Sequence, residues 1–348
     1  GAQPGASWQG CTLHARGAHA EPGPPSPLSA RLATDAPVER VVTSGSATIT
    51  VDYVGFTSQA QAAFQEAVDI WSTHIASTIP IRVRVEFAPL GATTLGSTGP
   101  FLSRDFENAP IPQTWYPFPQ ADALAGEDLF PNPNQDFFYD IVGTFNSNQP
   151  AFYFGLDGNP PAGQFDFVTI ALHELAHGLG FIGSGLVDDG TGGRECTGVR
   201  NIGCWGYFGG NPTGFPLVFD RFVENGAGQS FLNQTLFPNP SSQLSTYFRG
   251  QDLVLGAPLL QQVFGDAAPL WAPASFVVGS SFSHWDENEF RSTSAALMTP
   301  QIARGEVHRD PGDITCAFLA DMGWDLGPGC RLLTTDGEAS VESSPLVL

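Results

Sequence analysis

The chain has 348 residues, 42% of them hydrophobic, enough to bury one large core or the cores of two subdomains. Its formal net charge is -21 and all 14 of its basic residues are arginine, a surface that argues against nucleic acid or an anionic membrane as partner. No apolar run approaches the roughly 20 residues that span a bilayer, and 40 glycines with 29 prolines point to long ordered loops rather than a helical bundle.

The chain opens GAQPGASWQG, without a signal peptide, as a mature or trimmed protein would. Residues 1–40 are rich in Pro, Gly, Ala and Ser, and EPGPPSP reads as an extended linker. This stretch is expected to be a leader: a pro-segment, a disordered arm or a surface-draped arm. From Ser46 to Val54 the sequence alternates, with Ile49, Val51 and Tyr53 on one face of a half-buried strand. Ser58 and Gln61 form a capping-box pattern. The helix they open carries Phe64, Ala67, Val68, Trp71 and Ile75 on one stripe, with His74 as a surface or packing residue. IRVRVEF, residues 81–87, is a second alternating strand, so strand, helix and strand suggest an α/β unit with a twisted sheet. Residues 89–135 are turn-rich. DFFYDIVGTF and PAFYFG read as two further strands, the second placed to form the lip of a cleft where an extended substrate adds by backbone pairing.

Residues 165–181, FDFVTIALHELAHGLGF, carry the chemistry. His173 and His177 are four apart, so on a helix their imidazoles share one face and reach one metal ion. Glu174 is turned about 100° from His173 by the helical pitch and flanks the metal without ligating it. This is the H-E-x-x-H pattern of zinc hydrolases. Val168, Ala171, Leu172, Leu175 and Leu179 form the apolar stripe, Asp166 is the expected N-cap, and Gly178 and Gly180 are the stop signal. Beyond Phe181 the periodicity fades. Residues 183–280 are glycine-rich and irregular, with a glycosylation sequon at Asn233-Gln234-Thr235. Cys196/Cys204 and Cys316/Cys330 each lie close enough in sequence to staple a loop, which suggests an oxidising setting; the alternative is four free thiols. SFSHWDENEFRSTSAALMTPQI follows at 281–302, then a C-terminal helix in DPGDITCAFLADMGWDLG, and a tail from about residue 331.

A catalytic zinc needs three protein ligands and one open position. Of seven histidines, His14 and His19 lie in the leader and His74 on a core-facing helix, which leaves His284 and His308. Glu195 is the nearest carboxylate, in a Gly-rich, Cys-flanked loop. Asp286 and Asp220 are candidates to accept from ligand N–H groups. Cys11, whose thiolate is a good zinc ligand, is a candidate pro-segment switch; the plainer reading is a cysteine without that role.

HELAHGLGF, a later histidine and an LMTP turn together resemble the metzincin zinc proteases. The usual pattern continues H-E-x-x-H-x-x-G-x-x-H, but its last position here is Gly183. The leishmanolysin-like branch departs in the same way, with a long insertion before its third histidine. SHWDE with His284, ALMTP with Met298 and the ITCAFLADMGW helix follow in that branch's order, and the resemblance covers roughly residues 140–325. It implies His173, His177 and His284 as zinc ligands, Glu174 as general base and Met298 as the apolar floor of a Met-turn. The implied fold is α+β and metzincin-like, with a twisted N-terminal sheet and active-site helix over 41–182, and a loop-rich C-terminal subdomain over 183–330 that ends in the Met-turn and a helix. The implied activity is that of a secreted or cell-surface zinc endopeptidase acting on protein or peptide substrates, with a monomer expected. The rival readings are a zinc-stabilised adhesin or binding domain without turnover, and a zinc amidase acting on non-protein substrates. Calcium in the Asp-rich loops is not readable from the sequence.

Overall fold

A computed structural model describes residues 11–16, 45–101, 103–129, 131, 139–190, 196–206 and 214–332. It is a mixed α+β structure built around a six-stranded sheet. Its strands are β1 (Cys11–Ala15), β2 (Ile49–Val54), β3 (Ile81–Ala88), β4 (Thr94–Pro100), β5 (Ile141–Asn146) and β6 (Gln301–Ile302). In space their order is β6-β1-β4-β5-β3-β2. β2, β3 and β5 run parallel, while β4 is antiparallel to both of its neighbours.

Alternation decides which face is covered. Ile81, Val83 and Val85 of β3 are buried, whereas Arg84 and Glu86 on the alternate positions are exposed. Helix α1 (Ser58–His74) buries Phe64, Ala67, Val68 and Trp71. Its cap is Thr57, one residue ahead of the expected Ser58, with the Thr57 hydroxyl accepting from the Ala60 amide at 3.2 Å. Trp71 Nε1 donates to the Leu172 carbonyl at 2.8 Å, which joins α1 to the motif helix across 101 residues. His74 is a buried packing residue, its Nδ1 2.7 Å from the Ile70 carbonyl. Helix α2 (Phe118–Ala125) follows the turn-rich stretch and ends at Gly126 in the left-handed region.

The motif helix α3 (Phe167–Gly178) starts where the sequence places it, with Asp166 accepting from the Thr169 amide at 2.9 Å. Arg309 donates to the other Asp166 oxygen at 2.7 Å. All twelve of its residues are buried. It is a helix enclosed by the core, not a surface helix with one wet face. Gly178 does more than end it: a Cβ there would stand 2.4 Å from Ile141 Cγ2 of β5, so only glycine allows this helix-to-sheet approach.

Two strand expectations are corrected. PAFYFG contributes only Phe152–Tyr153, paired with Phe165–Asp166 outside the main sheet. The strand beside the site is instead β4, TLGSTGP, from the stretch that reads as turns. Gly96 answers to packing: a Cβ there would lie 2.9 Å from Glu174 Oε1. Likewise residues 11–15 of the leader form a paired strand. EPGPPSP and the tail beyond residue 332 lie outside the described residues.

The C-terminal half is irregular, with short helices α4 (Ser242–Tyr247), α5 (Pro258–Phe264) and α6 (Glu287–Phe290), and α7 (Asp313–Asp321) as the expected C-terminal helix. Phe318 of α7 packs its ring against Phe181, Phe219, Phe222 and Trp285. Both disulfides form as the spacing suggests, Cys196–Cys204 and Cys316–Cys330. No helix among the described residues is long and apolar enough to cross a membrane.

Candidate metal centre

His173 and His177 project from adjacent turns of α3. His284 arrives 107 residues later on an irregular strip threaded between two backbone tracks. The Trp271 amide donates to the His284 carbonyl at 2.9 Å, and the Trp285 amide to the Met298 carbonyl at 3.0 Å. Trp285 is fully buried beside Phe181, Phe290 and Phe318, which anchors His284 from its neighbouring residue. The three Nε2 atoms converge: His173 to His177 at 3.0 Å, His177 to His284 at 3.1 Å, and His173 to His284 at 3.2 Å.

The opposite ring nitrogens settle the tautomers. His173 Nδ1 lies 2.5 Å from the Leu297 carbonyl, His177 Nδ1 2.7 Å from the Phe181 carbonyl, and His284 Nδ1 2.7 Å from the Ser280 carbonyl. A carbonyl only accepts, so each Nδ1 carries the proton and each Nε2 of a neutral ring presents a lone pair. Three lone pairs facing one another about 3 Å apart repel unless a cation lies among them. Burial also keeps the rings neutral. It pushes the His173 pKa down to about 4, and it holds His177 and His284 well below the usual imidazole range with the neighbouring histidines adding to it.

This donor set fits zinc. Three nitrogens on a tetrahedral zinc at 2.0–2.1 Å stand about 3.3–3.4 Å apart, close to the observed triangle. Neutral imidazole suits zinc, copper, iron and nickel, whereas magnesium and calcium take oxygen. Among the described residues this is the one group of three or more His, Cys, Asp and Glu side chains placed to share an ion. Backbone carbonyls orient all three rings, a role for which acceptors such as these serve in metal sites generally.

Glu174 is fully buried, with Oε1 accepting from the Leu13 amide at 3.2 Å. Burial raises its pKa well above the usual carboxylate range, and hydrogen bonding from the Leu13 amide and from the side chain and amide of Thr98 pulls the other way. Gly96 supplies the room for its carboxyl group.

Met298, His308, Cys11, Asp220 and Asp286 are not members of the three-histidine group. Met298 is fully buried and closes the single 3-10 turn Ala296–Met298, whose Leu297 carbonyl holds His173. His308 bonds Glu306 at 2.9 Å through Nε2 and stands outside the three-histidine group. Cys11 begins β1, is buried, belongs to neither disulfide and is not in that group. Glu195 lies outside the described residues. Asp220 accepts from the Ser184 and Leu217 amides, both at 2.8 Å, and Asp286 caps α6, so neither takes a ligand N–H. The carbonyls of Leu297, Phe181 and Ser280 do that work, and main-chain groups leave no mark in a sequence. No family model, curated protein or solved structure matches the chain.

Proposed function

We propose that this chain is a zinc-dependent endopeptidase of the metzincin type, nearest in its ligand order to the leishmanolysin-like branch. The observation that carries the reading is the convergence of three Nε2 lone pairs in one buried site, with the buried carboxyl of Glu174 next to His173 on the same helix. Supporting it is the order of the motif helix, the distant His284 and the turn at Met298, which is the order in which that branch presents them. Bound zinc supplies a Lewis acid and lowers the pKa of a coordinated water towards neutrality.

The chain's own groups do the rest. His173, His177 and His284 are neutral donors, so they leave the full charge of the ion in force. Glu174 takes a proton from the attacking water and returns it to the leaving amine. Its buried setting raises its pKa, which makes the carboxylate a stronger base. A binding domain that merely used the ion as a staple would have no need of such a group. The two disulfides are compatible with an extracytoplasmic protein, and we place the activity outside the cytoplasm. Clearance of casein by the zinc-loaded protein, abolished by chelator and restored by added zinc, tests the reading. A fully metallated protein, freed of residues 1–44, that cleaves neither casein nor a mixed peptide library would overturn it.

A further inference from the structure

Gly183 and Gly185 flank Ser184 in the tract that leaves the motif helix, and neither takes a left-handed φ, so their backbone angles do not require glycine. The requirement comes from one side chain. A Cβ on Gly183 would stand 2.5 Å from Phe282 Cε1, and a Cβ on Gly185 would stand 2.6 Å from Phe282 Cε2. The Phe282 ring therefore straddles the tract, with one edge over each glycine, an approach that only residues without a side chain permit. Phe282 is buried, with the rings of Phe219 and Phe248 at 6.3 and 4.8 Å. Its φ is 75°, in the left-handed region, which a bulky residue occupies only where its surroundings hold it there.

The tract and the Phe282 segment are locked together. The Gly183 amide donates to Ser283 Oγ at 3.0 Å, and the Phe282 amide donates to the Trp271 carbonyl at 3.0 Å. Buried Asp220 fixes the tract in turn, accepting from the Ser184 amide at 2.8 Å and from Ser184 Oγ, which itself accepts from the Gly206 amide at 2.7 Å. Two of the three histidines depend on this arrangement. The Phe181 carbonyl, at the start of the tract, orients His177. His284 lies on no helix or strand, and its ring is oriented by the Ser280 carbonyl on the far side of Phe282. A change of φ at 282 would carry His284 away from that carbonyl. Gly183 is also the position at which the usual metzincin pattern places its third histidine. The ring that seats the distant histidine thus excludes a side chain at the local position.

We propose that Phe282 is the positioning residue for the third ligand: its ring, locked over Gly183 and Gly185, fixes the left-handed turn that aims His284 Nε2 at the point shared with His173 and His177. The proposal rests on the metal-centre reading and not on any hydrolytic activity.

The test uses the full-length chain. Zinc dissociation constants from competition with a chromophoric chelator, and visible spectra of the cobalt-loaded protein, are compared for wild type, Phe282→Gly, Gly185→Ala and Phe237→Ala. Glycine at 282 tolerates the left-handed turn but deletes the ring, whereas alanine at 185 drives a methyl group into the ring and leaves Phe282 itself intact. Phe237, buried against Phe231 and Tyr247, controls for a general loss of packing. Phe282→Gly and Gly185→Ala each weaken zinc by about 10–100-fold and alter the cobalt bands that report ligand geometry. Phe237→Ala, although less stable in urea, does neither. Should Phe282→Gly fail to fold by near-ultraviolet circular dichroism, Gly185→Ala decides the question on the same two readouts. Wild-type zinc affinity with a wild-type cobalt spectrum in either variant that folds, or an equal loss in Phe237→Ala, overturns the proposal. A wild type that takes up no stoichiometric zinc overturns the metal-centre reading itself, and the proposal with it.

Discussion

Replacing His173 by leucine in the metal-free protein tests whether the three-histidine cluster stands assembled and neutral without a bound ion. An unfolded histidine titrates near 6.5, and burial holds His173 at about 4 in the fold. A depressed imidazole pKa means that the folded state refuses a proton the unfolded chain accepts. The stability it represents is complete above pH 6.5 and is lost as pH falls. Between pH 8 and pH 5 the loss integrates to about 2 kcal/mol, and it approaches about 3 kcal/mol below pH 4. Several buried carboxylates have raised pKa values and act in the opposite sense, among them Asp122 and Glu287 at about 7. The informative quantity is therefore the gap between wild type and His173→Leu, in which those groups cancel. Urea unfolding in chelator, disulfides intact, measures that gap at pH 8, 6.5 and 5. Leucine forfeits the bond to the Leu297 carbonyl at every pH, but on acidification the gap moves by about 2 kcal/mol in the variant's favour. A gap that stays constant within about 0.5 kcal/mol would show that His173 is not held neutral, and the reasoning from burial would fail.

Glu174→Gln is expected to keep fold and zinc while losing about 10²–10⁴-fold in hydrolysis, measured on metal-assayed protein with residues 1–44 removed. His284→Ala loses stoichiometric zinc by atomic absorption, whereas His308→Ala, which removes a ring bonded to Glu306, retains it; retained metal in the first or lost metal in the second would reassign the third ligand. Gly96→Ala drives a methyl group into the Glu174 carboxyl group, so we expect a stability cost of about 1–3 kcal/mol in urea together with reduced turnover. Removing the Cys316–Cys330 bridge, which spans 14 residues, by a double alanine change should cost about 3 kcal/mol; a melting temperature equal to wild type would assign that bridge no stabilising role.

Much of the site was legible because it is local. The period of α3, its Asp166 cap and the four-residue spacing of its histidines follow from helical geometry alone, and the structure realises each of them. The two disulfides follow from short sequence separations in the same way. His284 came within reach only through a resemblance of order, since 107 residues of irregular chain carry no periodicity by which to place it. Three things were decided by tertiary packing. Gly96 and Gly178 look like turn and stop residues, yet they are glycines because a carboxyl group and an isoleucine need the space. The rings are aimed by the carbonyls of Leu297, Phe181 and Ser280, atoms that every residue possesses and no side chain announces. And CTLHA, five residues of unremarkable composition inside a Pro- and Gly-rich leader, became a strand because an open sheet edge lay beside it. A strand's pairing partner is set by edges that exist only once the chain has folded.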